Sequence, residues 1–412
     1  MRTSVRAGYD TVVRVTTASR SIDVAERRAR LGARHRLAPG HRTDSPLAVA
    51  GSVLALHATD PASVHLAVAA RSVHPSADAV ERALYDERTL VRVLAMRRTM
   101  FVVPVDEVAV VHGSSTRAVA ARERRRLVGY LEEAGVVDGE AWLDRVADLV
   151  VDLLEAKGEA TTSELSAALP DLALRIEAGA GTKWAVESTV ASRLLAVLAA
   201  EERIVRGRPT GPWWRISPYR WAPMSAWLPE GPPALETSDA QATLVRAWLR
   251  AFGPATLDDL VWWTGWTKTA TRAAVASVAA VSVDLDGAEG LVLPDDVEPA
   301  PPVDPWVALL PALDPTAMGW KGRDWYLGAH RPALFDRNGN VGPTVWCDGR
   351  IVGGWAQRRD GEVVHRLLDD VGAERAAAVA EVAGRLEGWL GEARLVPRFR
   401  TPLERELADA SP

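Results

Sequence analysis

The sequence predicts an α+β protein in which helix pairs alternate with short strand pairs. Three observations support this class. The pattern G-x-A-T-x-x-(D/E)-L occurs at 158–165 and again at 253–260, each time before an apolar helical segment and two strand-like runs. A similar helix–helix–hairpin order precedes the first copy. Segment 306–368 is rich in short strands and tight turns, which is typical of a small β-barrel-like unit.

A helix–turn–helix followed by a strand pair is the plan of a winged helix, so the sequence predicts three such domains in tandem. Tandem winged helices most often bind nucleic acid, although some serve only as protein-contact modules. The expected boundaries are a disordered extension at 1–20, winged helix 1 with the loop around His57 at 21–135, winged helix 2 at 136–230, winged helix 3 at 231–298, a β-barrel-like domain with a closing helix at 303–395, and a tail at 396–412.

The composition is that of a soluble, cytoplasmic protein. The chain has 412 residues, of which 48% are hydrophobic and 25% charged, a balance that supports several packed cores. Its single cysteine, Cys347, excludes an internal disulfide framework and a Cys-rich zinc site, and indicates a reducing compartment. No apolar run approaches the roughly 20 residues that a membrane helix needs.

The charge is distributed unevenly along the chain. The whole chain carries a net charge of −5, but residues 1–130 hold 21 arginines and 12 acidic residues, a net charge of +9. If the protein binds a polyanion, we therefore expect the N-terminal part to contact it.

The N-terminal part contains the stretch on which the functional interpretation depends. Helices are predicted at 22–33, from Ser45 to near His57, and from about 62 to 72. Asp60 followed by Pro61 is a helix-start signature, because the carboxylate caps free N–H groups and proline suits the first helical position. Since the first helix ends before the next one begins, the backbone between them is expected to be extended. His57 and Thr59, two residues apart, can then point to the same side.

Two further regions carry candidate contacts to DNA. Two strands within 90–104 meet near Arg97 and Arg98, at the predicted tip or second strand of the first wing, although a solvated charge pair is the common alternative. The second wing, within 203–216, combines arginines with two adjacent tryptophans, which suits phosphate contact and base stacking. These residues are Arg203, Arg206, Arg208, Trp213, Trp214 and Arg215. The third wing, within 281–293, is acidic and is expected to be structural.

After a Pro-rich linker at 299–305, the C-terminal part shows several hairpin signals. Asp-Gly at 348–349 lies between apolar segments, which favours a two-residue hairpin turn, and the same dipeptide recurs at 360–361. A last helix is predicted from Ala373 to Glu392.

Several blocks resemble the bacterial winged-helix DNA glycosylase family of AlkZ and YcaQ. They are Leu56-His-Ala-Thr-Asp-Pro-Ala-Ser63 with Ala70-Arg71, Met96-Arg-Arg-Thr-Met-Phe-Val-Val-Pro104, Leu309-Leu-Pro-Ala-Leu-Asp-Pro-Thr-Ala-Met-Gly-Trp320, Phe335-Asp-Arg-Asn-Gly-Asn340 and Gly353-Gly-Trp355. The resemblance runs from about residue 22 to 390. It implies three winged helices in a C-shape plus a β-barrel, and it makes Arg71 a candidate phosphate contact.

The resemblance also implies a catalytic role for the His57 stretch. In that family a Gln-x-Gln or Gln-x-Asp motif, which positions and activates water, stands where this chain has His57, Ala58 and Thr59. A neutral imidazole with an ordinary pKa of about 6.5 can accept the water's proton, whereas Thr59 can only orient the water. Asp60 is either a helix cap or a substitute for the missing acidic or amide group. No metal site, phosphate loop or organic cofactor is predicted.

The first functional hypothesis is therefore a monofunctional DNA glycosylase. It would excise alkylated or bulky-adduct purines from double-stranded DNA, including interstrand crosslinks, in DNA repair or self-resistance, and it would act as a monomer away from membranes. The alternative is a non-catalytic DNA-binding protein in which the His-x-Thr motif marks lost activity. A protein-interaction scaffold is a third possibility.

Overall fold

The computed structural model describes residues 20–178 and 186–410, so most of the expected 1–20 extension lies outside the described residues. Its first unit contains a three-stranded antiparallel sheet of order β1-β3-β2. The elements are α1 (Val24–Arg34), α2 (Pro46–Ser52), β1 (Leu56–His57), α3 (Pro61–Ala69), α4 (Ala77–Glu81), β2 (Leu90–Leu94), β3 (Met100–Pro104), α5 (Val108–Val111) and α6 (Arg117–Glu133). The predicted hairpin with Arg97 and Arg98 at its turn is confirmed.

The second unit packs around a hydrophobic core of its own. Its elements are α7 (Gly139–Lys157), β4 (Ala160–Thr161), α8 (Thr162–Ala168), β5 (Arg175–Ala178), β6 (Val186–Thr189), α9 (Val190–Ala200), β7 (Ile204–Pro209) and β8 (Tyr219–Pro223). The strand that pairs with β7 is β8, so the predicted partner strand around 213–216 is wrong. Trp213 and Trp214 instead lie in the loop that joins the two strands.

The third unit repeats the helix pair and hairpin. Its elements are α10 (Thr237–Phe252), α11 (Leu257–Thr264), α12 (Lys268–Ser277), β9 (Val281–Leu285) and β10 (Ala288–Val292). Both copies of the repeated pattern begin a helix with a reciprocal capping box, formed by Thr161 with Glu164 and by Thr256 with Asp259. The helix starts predicted from the repeat are therefore confirmed.

The C-terminal unit is built on an open four-stranded antiparallel sheet of order β11-β12-β13-β14. Its elements are β11 (Val307–Leu310), α13 (Pro315–Met318), α14 (Asp324–Leu327), α15 (Arg331–Leu334), β12 (Thr344–Cys347), β13 (Arg350–Gln357), β14 (Val363–Leu367), α16 (Gly372–Leu390) and α17 (Pro402–Asp409). The Asp-Gly turn at 348–349 joins β12 to β13 as predicted.

The expected barrel does not form, since β11 and β14 stay unpaired with each other within the described residues. Helices cover the sheet instead: α16 contacts β11 and β14, and α17 contacts β13. This explains why seven successive residues of β13, Ile351 to Gln357, are all buried. The expected tail at 396–412 likewise contains an ordered helix, α17, whose Leu403 and Leu407 are buried.

One large core joins the first unit, the third unit and the C-terminal sheet. Trp248 of α10, Trp320 and Trp346 are three of its tryptophans and are almost completely buried. Because this core spans both ends of the chain, it holds the His57 stretch against the loops of the C-terminal unit. No helix in the described part of the chain is long and apolar enough to cross a membrane.

Candidate active site

The local backbone explains how His57 is presented. Helix α2 ends at Ser52, earlier than predicted, and the chain then forms the short edge strand β1, in which Leu56 faces Val102 and His57 faces Phe101. Leu56 is completely buried. Because neighbouring strand residues point to opposite faces, His57 is directed away from that core.

The His57 side chain enters a pocket of about 540 Å³ that opens to solvent. The first unit, the third unit and the C-terminal unit all contribute to its walls. Most of the lining side chains are apolar or aromatic, and the polar ones are few. The lining residues are Ala55, His57, Met96, Arg97, Thr99, Phe101, Trp262, Trp263, Leu313, Pro315, Met318 and Asn340. An aromatic pocket with a few polar groups is the usual form of a ligand site.

His57 is a neutral imidazole at pH 7. Burial lowers its pKa to about 4, and the positive charge of Arg97 acts in the same direction. The ring meets Phe101 edge to face, with 5.5 Å between the ring centroids. The backbone N–H of Thr59 lies 3.5 Å from Nδ1, at the outer limit of a hydrogen bond. The imidazole lone pair is therefore only weakly engaged.

Asp60 does not line the His57 pocket. Its carboxylate accepts a hydrogen bond from Ala62 N at 3.0 Å, which confirms the predicted cap of α3. The side chain borders a different pocket, shared with Arg400 and Glu404 near α17. Burial raises the pKa of Asp60, and it raises that of Glu404 to about 7. Of the three predicted catalytic residues, the structure brings His57 and Thr59 into contact and places the Asp60 carboxylate elsewhere.

Arg97 and Arg98 form the turn between β2 and β3, and both adopt the left-handed conformation, with φ of 56° and 61°. Both residues are exposed. Arg97 lies over the Trp262 ring, 4.5 Å from its centroid, at the pocket wall. Arg98 pairs with Glu123 of α6 at 3.2 Å. A turn of this kind costs free energy in non-glycine residues, and such strain tends to occur at functional sites.

Arg71 corrects the prediction of a phosphate contact, because its side chain is completely buried. Its guanidinium pairs with Asp314 at 2.7 Å and donates to Thr316 Oγ1 at 2.8 Å. It also donates to the carbonyl oxygens of His35 and Ala67. Arg71 therefore ties the first unit to the loop before α13 rather than to DNA.

The segment predicted as the second wing makes its contacts inside the protein. Arg208 pairs with Glu81 at 3.0 Å and with Asp86 at 2.9 Å, so its charge is balanced by two carboxylates. Arg206 is half-buried and lies over the rings of Tyr219 and Trp221.

Trp213 and Trp214 of that segment are likewise half-buried. Trp213 stacks on His65 with 4.6 Å between ring centroids, and it packs edge to face with Trp214 and against Trp389 of α16. Both rings therefore pack between the second unit and its neighbours. This corrects the prediction that Trp213 and Trp214 stack on DNA bases.

Three prominent lining residues of the pocket were missed from the sequence. Phe101 and Trp262 form the aromatic walls, and Asn340 contributes an amide. The buried Arg323, which is outside the lining, lies 4.7 Å from the Trp262 centroid. From the sequence alone, nothing distinguishes Trp262 from a core tryptophan or Asn340 from an ordinary turn residue. No local pattern links these residues to His57, since the third and C-terminal units bring them together.

The described residues contain no cluster of three or more side chains arranged to hold a metal ion. The side chains that line the pocket offer a neutral imidazole, the amide of Asn340, the hydroxyl of Thr99 and the guanidinium of Arg97 between aromatic walls.

With this fold and site, comparison with known proteins gives the class. The family model described as "DNA glycosylase AlkZ-like" matches residues 50–389, and the chain belongs to this family. The resemblance stated from the sequence motifs is thereby confirmed.

A protein sequence and a solved structure from Streptomyces sahachiroi are similar to this chain. The sequence is named "Interstrand DNA cross-link repair glycosylase" and is 28% identical over 173 residues, which is 40% of this chain and 46% of that protein. The match thus spans less than half of that relative's length. The solved structure is that of DNA glycosylase AlkZ, with a TM-score of 0.66 and 21% identity, covering 91% of this chain and 98% of that chain. This second likeness shows that the two share a fold.

Proposed function

We propose that the protein is a monofunctional DNA glycosylase that hydrolyses the N-glycosidic bond of alkylated or bulky-adduct purines in double-stranded DNA. The observation that carries the proposal is His57: its imidazole is neutral and enters an aromatic pocket open to solvent, at the place where the sequence resemblance puts the family's catalytic motif. The name of the Streptomyces sahachiroi relative supports interstrand crosslinks as a further proposed substrate class for this chain.

In the proposed reaction the bond between C1′ and the purine nitrogen breaks, and the departing base keeps the electron pair. The sugar develops oxocarbenium character, and a water oxygen bonds to C1′ while its proton passes to the imidazole of His57. Thr59 would contact the imidazole through its backbone N–H rather than orient the water with its hydroxyl. No lysine lines the pocket in the described part of the chain, so the site offers no side-chain amine for a lyase step.

The lowered pKa of His57 restricts the substrates. A base with a pKa of about 4 accepts a proton only weakly at pH 7. Purines alkylated at N7 or N3 carry a positive charge and leave without protonation, so weak activation of water is sufficient for them. Unmodified purines should be resistant to excision.

For DNA contact we propose the exposed turn formed by Arg97 and Arg98, with the helix pairs and hairpins acting as tandem winged helices of a monomer in a C-shaped arrangement. The support for this is the position of the turn. Arg97 borders the His57 pocket, and Arg98 lies beside α6, which carries the exposed Arg122, Arg125 and Arg126.

The test is base excision from duplexes that carry 7-methylguanine or a nitrogen-mustard crosslink, followed by alkali to break abasic sites. Wild-type protein should produce strand breaks, and His57→Ala should slow their formation by about 100-fold, the low end for a general base. His57→Gln, which restores the residue type of the family motif, should retain activity. His74→Ala is the matched control, because His74 is an exposed histidine that is not among the residues lining the pocket.

Tight binding of the wild type without strand breaks would leave the alternative, a DNA-binding protein that has lost the activity. Strand breaks that persist in His57→Ala would refute the assigned role of His57.

A further inference from the structure

Asn340 lines the same pocket as His57, although it belongs to the C-terminal unit. It ends the turn Asp336–Asn340, which an isolated bridge between Phe335 and Val341 closes. The sequence block that contains this turn resembles the family, but the turn has no role in the reaction proposed above. Its position in the pocket wall raises the question of what its amide does there.

The orientation of the Asn340 amide is fixed by Asp336. One carboxylate oxygen accepts the backbone N–H of Asn338 and of Asn340, both at 2.8 Å. The other accepts Asn340 Nδ2 at 2.9 Å. Because an ionised carboxylate can only accept, the NH₂ group must face Asp336 and Oδ1 must point away from it. Within the described part of the chain, Oδ1 has no hydrogen-bond partner.

Asp336 remains ionised over the useful pH range. Burial alone would raise its pKa, but the hydrogen bonds from Asn340, Asn338 and Gly339 outweigh that effect and lower it. The amide of Asn340 is therefore held in one orientation, with a carbonyl oxygen as its free acceptor.

We infer that Asn340 is a water-positioning residue that supplies, from the C-terminal unit, the side-chain amide that the His57-x-Thr59 motif lacks. This inference rests on the proposed glycosylase function. A water that donates one hydrogen to the His57 imidazole and the other to Asn340 Oδ1 keeps a lone pair free to attack C1′. Asp336 is a positioning residue that acts through Asn340, and the reaction consumes no further reactant.

The test separates chemistry from binding. Single-turnover excision of 7-methylguanine is measured at saturating enzyme, together with the Kd for the same duplex and the melting temperature. Asn340→Ala should lower the single-turnover rate on the order of 10- to 100-fold, less than the loss of a strong oxyanion-hole donor. The Kd and the melting temperature should stay close to those of the wild type.

A second variant, Asp336→Asn, should keep the turn but reverse the orientation of the Asn340 side-chain amide. Asparagine at 336 can still accept the backbone N–H groups through its oxygen, while its NH₂ can only donate to Asn340. The Asn340 amide then turns its NH₂ toward the pocket, so the acceptor is lost and the rate should fall as in Asn340→Ala. Asn338→Ala is the matched control, because only the backbone of Asn338 contacts Asp336, and its rate should be unchanged.

The inference is overturned if Asn340→Ala and Asp336→Asn keep at least half of the wild-type rate, or if Asn338→Ala loses as much as they do. It is also overturned if weaker DNA binding accounts for the whole effect. A wild-type protein without excision activity would instead refute the proposed function itself. If Asn340→Ala fails to fold, Asp336→Asn alone decides the question.

Discussion

Replacing Arg71 distinguishes a buried structural pair from a contact to DNA. In Arg71→Met the apolar stem is kept, while the guanidinium and its ion pair with the buried Asp314 are lost. Removing one partner of a buried pair typically costs about 3–5 kcal/mol, because the other charge is left uncompensated. Thr316 Oγ1 and the carbonyl oxygen of His35 lose their donor as well. We therefore expect the free energy of unfolding to fall by about 4 kcal/mol.

The assay is urea unfolding followed by tryptophan fluorescence, for which Trp320 is a local reporter because it stacks on His35. Adding Asp314→Leu to Arg71→Met should recover at least half of the lost stability, since an apolar pair of similar size often replaces a buried ion pair. Arg97→Met is the matched control: an exposed arginine should change the free energy of unfolding by less than about 0.5 kcal/mol.

The same two variants are compared in DNA binding. Arg97→Met should weaken affinity and reduce the salt dependence by about one phosphate contact, whereas folded Arg71→Met should not. A stable Arg71→Met with a reduced salt dependence would refute the assignment of Arg71 to the interior.

Two further predictions concern the His57 pocket. Because the pKa of His57 is lowered to about 4, nearly all of its imidazole is already neutral at pH 5.5. The kcat/KM for 7-methylguanine should therefore differ less than about twofold between pH 5.5 and 7.5. A histidine with the ordinary pKa of about 6.5 would lose about tenfold over that range, and such a loss would contradict the lowered value. Thr59→Ala should reduce the rate less than about threefold. Thr59 contacts His57 through its backbone N–H, which alanine retains. A loss equal to that of His57→Ala would show that the Thr59 hydroxyl takes part in the reaction.

Local signals predicted the parts of the fold that local chemistry determines. The two capping boxes and the Asp60-Pro61 helix start all involve side chains that bond within three residues of their own position. The turn at 348–349 is equally local, since Asp348 and Gly349 both take the positive φ that this hairpin turn requires. Such features form in the same way whatever packs around them.

Features that depend on distant partners could not be predicted. Arg71 follows an apolar helix, where an arginine is usually exposed, and only Asp314 explains its burial. The Arg-Trp combination of the second wing resembles a nucleic-acid surface until Glu81, Asp86 and Trp389 are placed beside it. The barrel expectation failed for a similar reason, because a strand-rich sequence does not show whether helices or other strands will cover the sheet.

The charge asymmetry of the chain remains informative even though individual arginines were misassigned. Some arginines of the basic N-terminal region are neutralised internally: Arg71 pairs with Asp314, and Arg124 contacts Glu140, Asp144 and Glu201. Others stay exposed at the β2–β3 turn, where Arg97 borders the His57 pocket, and on α6, where Arg126 lines a second groove together with Arg98. The net charge of a long segment indicates which part of the chain meets a polyanion, because it averages over paired and unpaired side chains. The role of a single arginine depends on which carboxylate the fold places beside it. The exposed arginines beside the pocket are therefore the ones whose removal should change the salt dependence of DNA binding.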